Sequence, residues 1–111
     1  MNVADVIGRL EQLRGTAVEI DGFLVYIDRH CYIAPTQDSW QKTDEAILVL
    51  EADVPKRLNA IVPGWVGGPS YQDDVTITGV IDASDHAPFP AVLDRVSHLI
   101  LKREDEVFRV V

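Results

Sequence analysis

The chain has 111 residues, of which 47% are hydrophobic and 25% charged, and this predicts a single folded domain spanning residues 1–111. Eighteen Asp and Glu residues against ten Lys and Arg residues give a formal net charge of −8. This charge opposes binding to nucleic acid and to anionic membranes, because both depend on clustered cations. It suits a basic protein partner, or it serves solubility alone.

Cysteine content and hydropathy indicate the compartment. Cys31 is the only cysteine, so neither an intramolecular disulfide nor a multi-cysteine metal cluster can form. The first five residues lack the basic head and apolar run of a secretory signal. No stretch approaches the roughly 18 apolar residues that span a bilayer. We therefore expect a cytoplasmic protein.

The N-terminal third predicts a helix and then a long strand. Asn2 can cap a short amphipathic helix whose apolar residues repeat at helical spacing from Val3 to Leu13, and Gly15 ends it. Residues 17–27 are rich in β-branched and aromatic side chains, which favours a strand. Gly22 interrupts the alternation of that strand, as a bulge or a sharp bend does.

The middle of the chain predicts a hairpin, a third strand and a second helix. Asp28-Arg29 is a turn before a strand over residues 30–34, and a polar loop over 36–44 precedes a strand over 46–52. Asp53 can cap a short helix with Pro55 in its first turn. Three residues are expected on the buried side of that helix: Leu58, Ile61 and Val62.

The C-terminal half predicts strands separated by loops. Residues 63–72 form a loop with Gly and Pro, and residues 74–83 alternate as a strand does. A loop over 84–90 leads to a last strand or strand pair over 95–111, which turns at Glu104-Asp105.

This order resembles the small bacterial stand-alone OB-fold proteins. Residues 15–25 resemble their opening strand, 74–81 their fourth strand and 96–100 their fifth. The resemblance implies a mainly β domain with two short helices: a five-stranded OB-like Greek-key barrel with an added N-terminal helix. It also implies a binding module that uses the face of strands two and three.

The predicted strand face does not have the composition of a nucleic-acid site. It would include His30, Tyr32, Ile47 and Val49 or their neighbours, without the Lys and Arg that single-strand binding needs. Tyr32 is either a stacking ring or a partly buried strand tyrosine. An OB-fold that binds a small ligand or an oligonucleotide through His30 and Tyr32 is therefore the alternative to protein binding.

Candidate catalytic and metal-binding residues have simpler explanations. Asp82, Asp85 and His86 have the types of a cation site, but aspartates in a loop between strands are usual turn residues. His30 and Cys31 are neighbours in a strand and point to opposite faces, so they cannot readily form a nucleophile–base pair. We expect no catalytic residue, metal or cofactor, although a site assembled from distant residues stays open.

Two further patterns also point to ordinary structure. The glycines of residues 64–68 lack the Lys-Ser or Lys-Thr that completes a P-loop, and a glycine-rich turn explains them. The carboxylate pairs Asp73-Asp74 and Asp82-Asp85 are expected in solvated turns at strand ends rather than in acid–base chemistry.

Loop aromatics beside acidic residues suggest an interface. Large aromatic side chains with a polar rim are typical of interface anchors, although the same rings could instead fold inward and plug the barrel ends. The apolar segment 107–111 is either an edge strand or an association surface, and it and the first helix are each compatible with a homodimer. The interface candidates are Trp40, Trp65, Tyr71, Asp73, Asp82 and Asp85.

The leading hypothesis is a cytoplasmic, non-catalytic protein-binding module whose acidic surface meets a basic partner. An immunity or antitoxin-type inhibitor of a basic toxin is its concrete form, because the chain is small, acidic and without a catalytic constellation.

Overall fold

A computed structural model describes all residues, Met1 to Val111, and contains a closed barrel. The sheet has the order β3-β2-β1-β4-β5-β6, and an additional parallel pairing between β3 and β5 closes its first five strands into a barrel. The strands are β1 (Ala17–Ile27), β2 (His30–Ala34), β3 (Ile47–Val49), β4 (Tyr71–Ala83), β5 (Ala91–Arg103) and β6 (Glu106–Arg109).

Three helices accompany the barrel: α1 (Val3–Gly8), α2 (Leu10–Leu13) and α3 (Asp53–Ile61). The helix α3 connects β3 to β4, which is the position of the helix in an OB-fold. The prediction of a mainly β, OB-like barrel with an added N-terminal helical segment is confirmed. None of the helices has the length and apolar content that crossing a bilayer requires.

The barrel interior holds the main core. Residues from all five barrel strands meet there, and α1 and α3 close the core with Val3, Val6, Val54 and Leu58. The core alternates with outward residues along each strand, as the two-residue period of a strand requires.

A second apolar cluster lies on the outer face of the barrel. Odd-numbered residues of β1 from Phe23 onward point away from the interior, yet they are buried. The 3₁₀ segment around Trp40 and the β4–β5 loop with Phe89 cover them. Burial on both sides explains why the sequence of β1 becomes apolar on both faces after Gly22. The buried members are Phe23, Val25, Tyr32, Ala34, Ala46, Leu48, Phe89 and Val92.

Of the two alternatives at Gly22, a bulge or a sharp bend, the bulge is wrong, although the glycine is required. The pairing of β1 with β4 runs in one continuous register from Ala17–Val80 to Tyr26–Tyr71. A Cβ at Gly22 would lie 2.5 Å from Ile33 Cγ2 and 2.9 Å from the Ala34 carbonyl oxygen. The glycine therefore permits close approach of strand backbones. The register shift occurs instead between β4 and β5, opposite Gly79.

The first helix and the third strand are shorter than expected. The predicted single N-terminal helix is interrupted at Arg9, whose φ of −111° ends α1 just after Gly8, a poor helix former. The third strand is limited to Ile47–Val49, since Leu50 is already exposed after donating its N–H to Leu93 O.

The second predicted helix, α3, differs from the prediction in its capping residue and in its buried residues. Its N-cap residue is Ala52 without a side-chain cap, so Asp53 is the first helical residue rather than the cap. Pro55 lies in the first turn as predicted. Ile61 is exposed, because the buried side is formed by Val54 and Leu58, followed by Val62.

The last strands also begin earlier than the sequence predicts. Strand β4 starts at Tyr71 and β5 at Ala91. The predicted turn at Glu104-Asp105 separates β5 from β6 and is confirmed.

The close approach at Gly22 predicts a selective loss of stability. We expect Gly22→Ala to lower the free energy of unfolding by about 1–3 kcal/mol, because its methyl group would overlap neighbouring backbone and side-chain atoms. Gly8→Ala is the matched control, since a Cβ there meets no atom within 4 Å. Urea denaturation of both variants measures the difference. Equal stabilities of the two variants would contradict this account of Gly22.

Candidate protein-binding surface

The outer face of β2 and β3, where an OB-fold commonly binds its ligand, is largely covered by the chain itself. Tyr32 is buried below Phe89, with ring centroids 5.4 Å apart, and its hydroxyl donates a hydrogen bond to the Trp40 carbonyl oxygen. Burial raises the pKa of Tyr32. The interpretation of Tyr32 as a buried strand tyrosine is therefore confirmed.

Two residues expected on that face lie elsewhere. Ile47 and Val49 point into the barrel interior and belong to the main core. The outward residue of β3 is Leu48, which packs against the outer cluster. The physical reason is register: Leu48 is opposite Tyr32, and residues opposite each other share a face.

A small groove remains at the edge of the covered face. It has a volume of about 290 Å³ and lies between the β1–β2 turn and the β4–β5 loop. His30 is exposed at this edge, with its ring centroid 6.3 Å from that of Phe89. The groove therefore offers one exposed imidazole and the rim of a buried aromatic pair. Its lining residues are Ile27, Asp28, His30, Tyr32, Thr43, Ala87, Pro88 and Phe89.

Cys31 and His30 point to opposite sides of β2, as the sequence predicts. Cys31 is buried in the main core, whereas His30 is exposed. Burial raises the pKa of the Cys31 thiol to about 12. The thiol is therefore protonated at neutral pH and is separated from its sequence-neighbouring base.

The aspartates near the end of β4 are used for local contacts. Asp82 Oδ1 accepts hydrogen bonds from the Ala83 N–H at 2.7 Å and from Arg14 Nε at 3.0 Å. These two contacts lower the pKa of Asp82, the backbone bond contributing most. Asp85 Oδ1 lies 3.3 Å from His86 Nε2, and both side chains are exposed. Turn formation and a tie to α2 account for this segment.

Tyr71 and Asp73 are not exposed loop residues. Both lie in β4 and face the interior side, with Tyr71 1% and Asp73 4% exposed. The Tyr71 hydroxyl donates to Val62 O at 2.8 Å, which ties the end of α3 to the barrel. The expectation of a solvated turn at Asp73 is wrong, because the strand starts earlier and its alternation turns this carboxylate inward. Neighbouring Asp74 is exposed.

The buried carboxylate of Asp73 is paired with Arg103 from β5. Arg103 Nε donates to Asp73 Oδ1 at 2.7 Å and Nη2 donates to Oδ2 at 2.9 Å, so the pair is bidentate. Arg103 Nη1 also donates to Pro63 O at 2.7 Å. The hydrogen bonds to Asp73 are the main cause of the raised pKa of Arg103. The guanidinium group thereby fastens the loop over residues 63–70 to the barrel.

Trp65 is the aromatic residue that this pair holds in place. Its Nε1 lies 3.3 Å from both carboxylate oxygens of Asp73, and the Arg103 guanidinium carbon lies 4.3 Å from the ring centroid. Although its polar edge is bonded in this way, Trp65 remains 45% exposed. The neighbouring Val66 is fully exposed. Two apolar side chains are therefore displayed on a loop whose base is fixed.

An acidic turn lies beside this loop. Glu104, Asp105 and Glu106 follow Arg103 directly and are all exposed. Glu106 is close enough for its charge to contribute to the raised pKa of Arg103. We call these three residues, together with Trp65 and Val66, the anchor surface.

The six interface candidates do not form one surface. Asp73 and Asp82 lie near the two ends of the 13-residue strand β4, so their Cα atoms are roughly 25–30 Å apart at the ordinary rise of a strand. Trp40 is half-buried against the outer cluster. Of the three aromatic candidates, only Trp65 is exposed.

Sequence reasoning missed Val66, Arg103 and the exposed acidic residues 104–106 as candidate site residues. The alternation along β4 does indicate that Asp73 is buried. Asp73 lies two residues before Val75 and four before Ile77, so its side chain lies on the same, inward-facing side of the strand. Its partner could not be found in this way, because the pairing depends on the register of β5 after its shift opposite Gly79.

No protein-family model and no curated protein matches this chain.

The buried and the exposed Arg–Asp pairs predict different losses of stability. We expect Arg103→Ala to lower the free energy of unfolding by about 3 kcal/mol, because it leaves the buried carboxylate of Asp73 uncompensated. Arg14→Ala, which breaks the exposed pair with Asp82, should cause a clearly smaller loss. Chemical denaturation of both variants gives the comparison. Similar losses would show that the Asp73–Arg103 pair does not stabilise the barrel end.

Proposed function

We propose that this chain is a non-catalytic protein-binding module and that the anchor surface contacts a basic protein partner. The observation that carries the proposal is the exposure of Trp65 and Val66 on a loop fixed by a buried ion pair. Tryptophan is enriched among the residues that dominate binding energy, and a preorganised loop loses little conformational freedom on binding.

The charge around the anchor residues defines the chemistry of the partner. Three exposed acidic residues adjoin Arg103, whose own charge is neutralised by Asp73. Together with the net charge of −8, they favour encounter with a positively charged surface. The complementary partner has an apolar pocket for Trp65 bordered by Lys or Arg side chains.

An inhibitor of the immunity or antitoxin type is the concrete form of this proposal. Such a protein needs a small stable scaffold, an acidic surface and no chemistry of its own. The barrel, the anchor surface and the buried Cys31 are compatible with these requirements. A cytoplasmic location and a likeness to the small bacterial OB-fold proteins belong to the same proposal.

Substitution of Trp65 tests the anchor role directly. We expect affinity capture from the source cells to yield one basic protein, with binding to the purified partner weakened about thirtyfold by Trp65→Ala, as for a binding residue worth about 2 kcal/mol. Isothermal titration calorimetry measures the change. An unchanged affinity for Trp65→Ala would exclude the anchor surface as the contact.

Charge reversal at Glu104 and at Asp85 tests which acidic region contributes to association with the partner: the anchor surface or the β4–β5 loop. We expect Glu104→Lys to slow association with that partner, because this acidic residue lies in the anchor surface. Asp85→Lys is the matched control, since it reverses the charge of another exposed acidic residue, in the β4–β5 loop. Stopped-flow association rates at low and at moderate salt distinguish them. A larger effect of Asp85→Lys would place the contact on the opposite end of the barrel.

A second candidate function rests on the groove beside His30. A cavity of about 290 Å³ between the β1–β2 turn and the β4–β5 loop has the position of an OB-fold ligand site, and its size is near the lower limit for small-molecule pockets. The buried ring of Tyr32 is not available for stacking while Phe89 covers it. A small ligand is therefore better accommodated than an oligonucleotide.

Direct titration separates the two candidate functions. If the groove is the site, a nucleotide, a short oligosaccharide or a single-stranded oligonucleotide should bind saturably and shift the NMR signals of His30. His30→Ala should then weaken the binding, whereas Trp65→Ala should not. If none of these probes shifts His30 or its neighbours, the groove loses its support as a ligand site.

A further inference from the structure

Two rings of unequal mobility border the groove beside His30. The Phe89 ring is buried and lies against buried Tyr32, with the two centroids 5.4 Å apart. The His30 ring is exposed, and its centroid lies 6.3 Å from that of Phe89 at an interplanar angle of 35°. Phe89 is therefore a fixed wall of the groove, whereas the imidazole of His30 can turn toward a ligand.

The spacing of these two rings is close to what a flat ligand requires. A planar ring that packs on a ring at each of its faces needs about 7 Å between the outer two, twice an ordinary carbon–carbon contact of about 3.5 Å. The 6.3 Å between His30 and Phe89 reaches this value when the exposed imidazole moves by less than about 1 Å. Aromatic rings also attract each other beyond the area that they bury. The pair therefore favours a planar ligand.

The polar border of the groove accepts hydrogen bonds and carries no positive charge that is permanent. Asp28 is exposed at this border and makes no ion pair with any Lys, Arg or His of the chain. None of the eight lining residues is Lys or Arg. An ionised carboxylate only accepts hydrogen bonds, so it selects a ligand with N–H groups. A phosphate has no cationic partner in this groove and is repelled by the net charge of −8.

We propose that the groove binds an uncharged, amino-substituted heteroaromatic ring, with the ring between His30 and Phe89 and its amino group donating a hydrogen bond to Asp28. This proposal rests on the second candidate function, ligand binding at the groove, and names the class of ligand. The volume of about 290 Å³ suits one ring system, since small-molecule pockets begin at roughly 300 Å³. The site is separate from the anchor surface, and binding there does not involve Trp65.

Three related ligands test the proposed contacts. Adenosine is expected to bind the full chain saturably and to shift the NMR signals of the His30 ring upfield, because a stacked ring shields the protons above its face. Purine riboside, which is adenosine without the amino group, should bind about tenfold more weakly, since it loses a hydrogen bond to a charged group. Adenosine monophosphate should bind more weakly than adenosine, because its phosphate is repelled.

Glycine variants of the β1–β2 turn provide a matched pair. Asp28 has a φ of 51° and Arg29 a φ of 67°, and glycine adopts both values without strain, so neither substitution disturbs the turn. Asp28→Gly should weaken adenosine binding about tenfold and should abolish the preference for adenosine over purine riboside. Arg29→Gly should leave both unchanged, since Arg29 does not line the groove. Circular dichroism of each variant reports whether the barrel is retained.

The possible results separate this proposal from the candidate function on which it rests. If a short oligosaccharide shifts His30 and adenosine at millimolar concentration does not, the groove is a ligand site and the proposed ring is wrong. Equal binding of adenosine and purine riboside, or tighter binding of adenosine monophosphate, would overturn the role of Asp28. If no probe shifts His30, the groove function and the proposed ligand fail together. Trp65→Ala should leave adenosine binding unchanged, so the protein-binding proposal is tested separately.

Discussion

The parallel pairing of β3 with β5 is the constraint on which the rest of the barrel depends. Strand β3 spans only Ile47–Val49, yet it bonds to β2 on one side and to β5 on the other. The long strands must coil strongly for this contact to form. Coiling brings backbones together where Gly22 and Gly79 lie, and a Cβ at Gly79 would be 2.8 Å from the Asp94 carbonyl oxygen. Closure of the barrel therefore requires glycine at two positions inside strands, where glycine is ordinarily destabilising.

Closure also determines which surfaces remain for binding. The outer faces of β1, β2 and β3 are apolar from Phe23 onward, and the segments around Trp40 and Phe89 cover them. The chain thus buries much of the face that OB barrels commonly use for ligands. The surfaces that remain exposed include the groove edge at His30, the loop that presents Trp65 and the outer edge of β6. Two of these three surfaces adjoin the turn after Arg103.

The fold was largely predictable from the sequence, and the candidate site was only partly so. Alternation in residues 17–27 and 74–83 and the helix between strands are local signals, and they led to the barrel. The pairing of Asp73 with Arg103 is a contact across strands, and its register depends on a shift between β4 and β5 that local patterns do not reveal. Trp65 was found as a candidate anchor, but its exposure depends on that pairing. Tyr71 has the same aromatic character and is buried, because the strand begins two residues before Asp73.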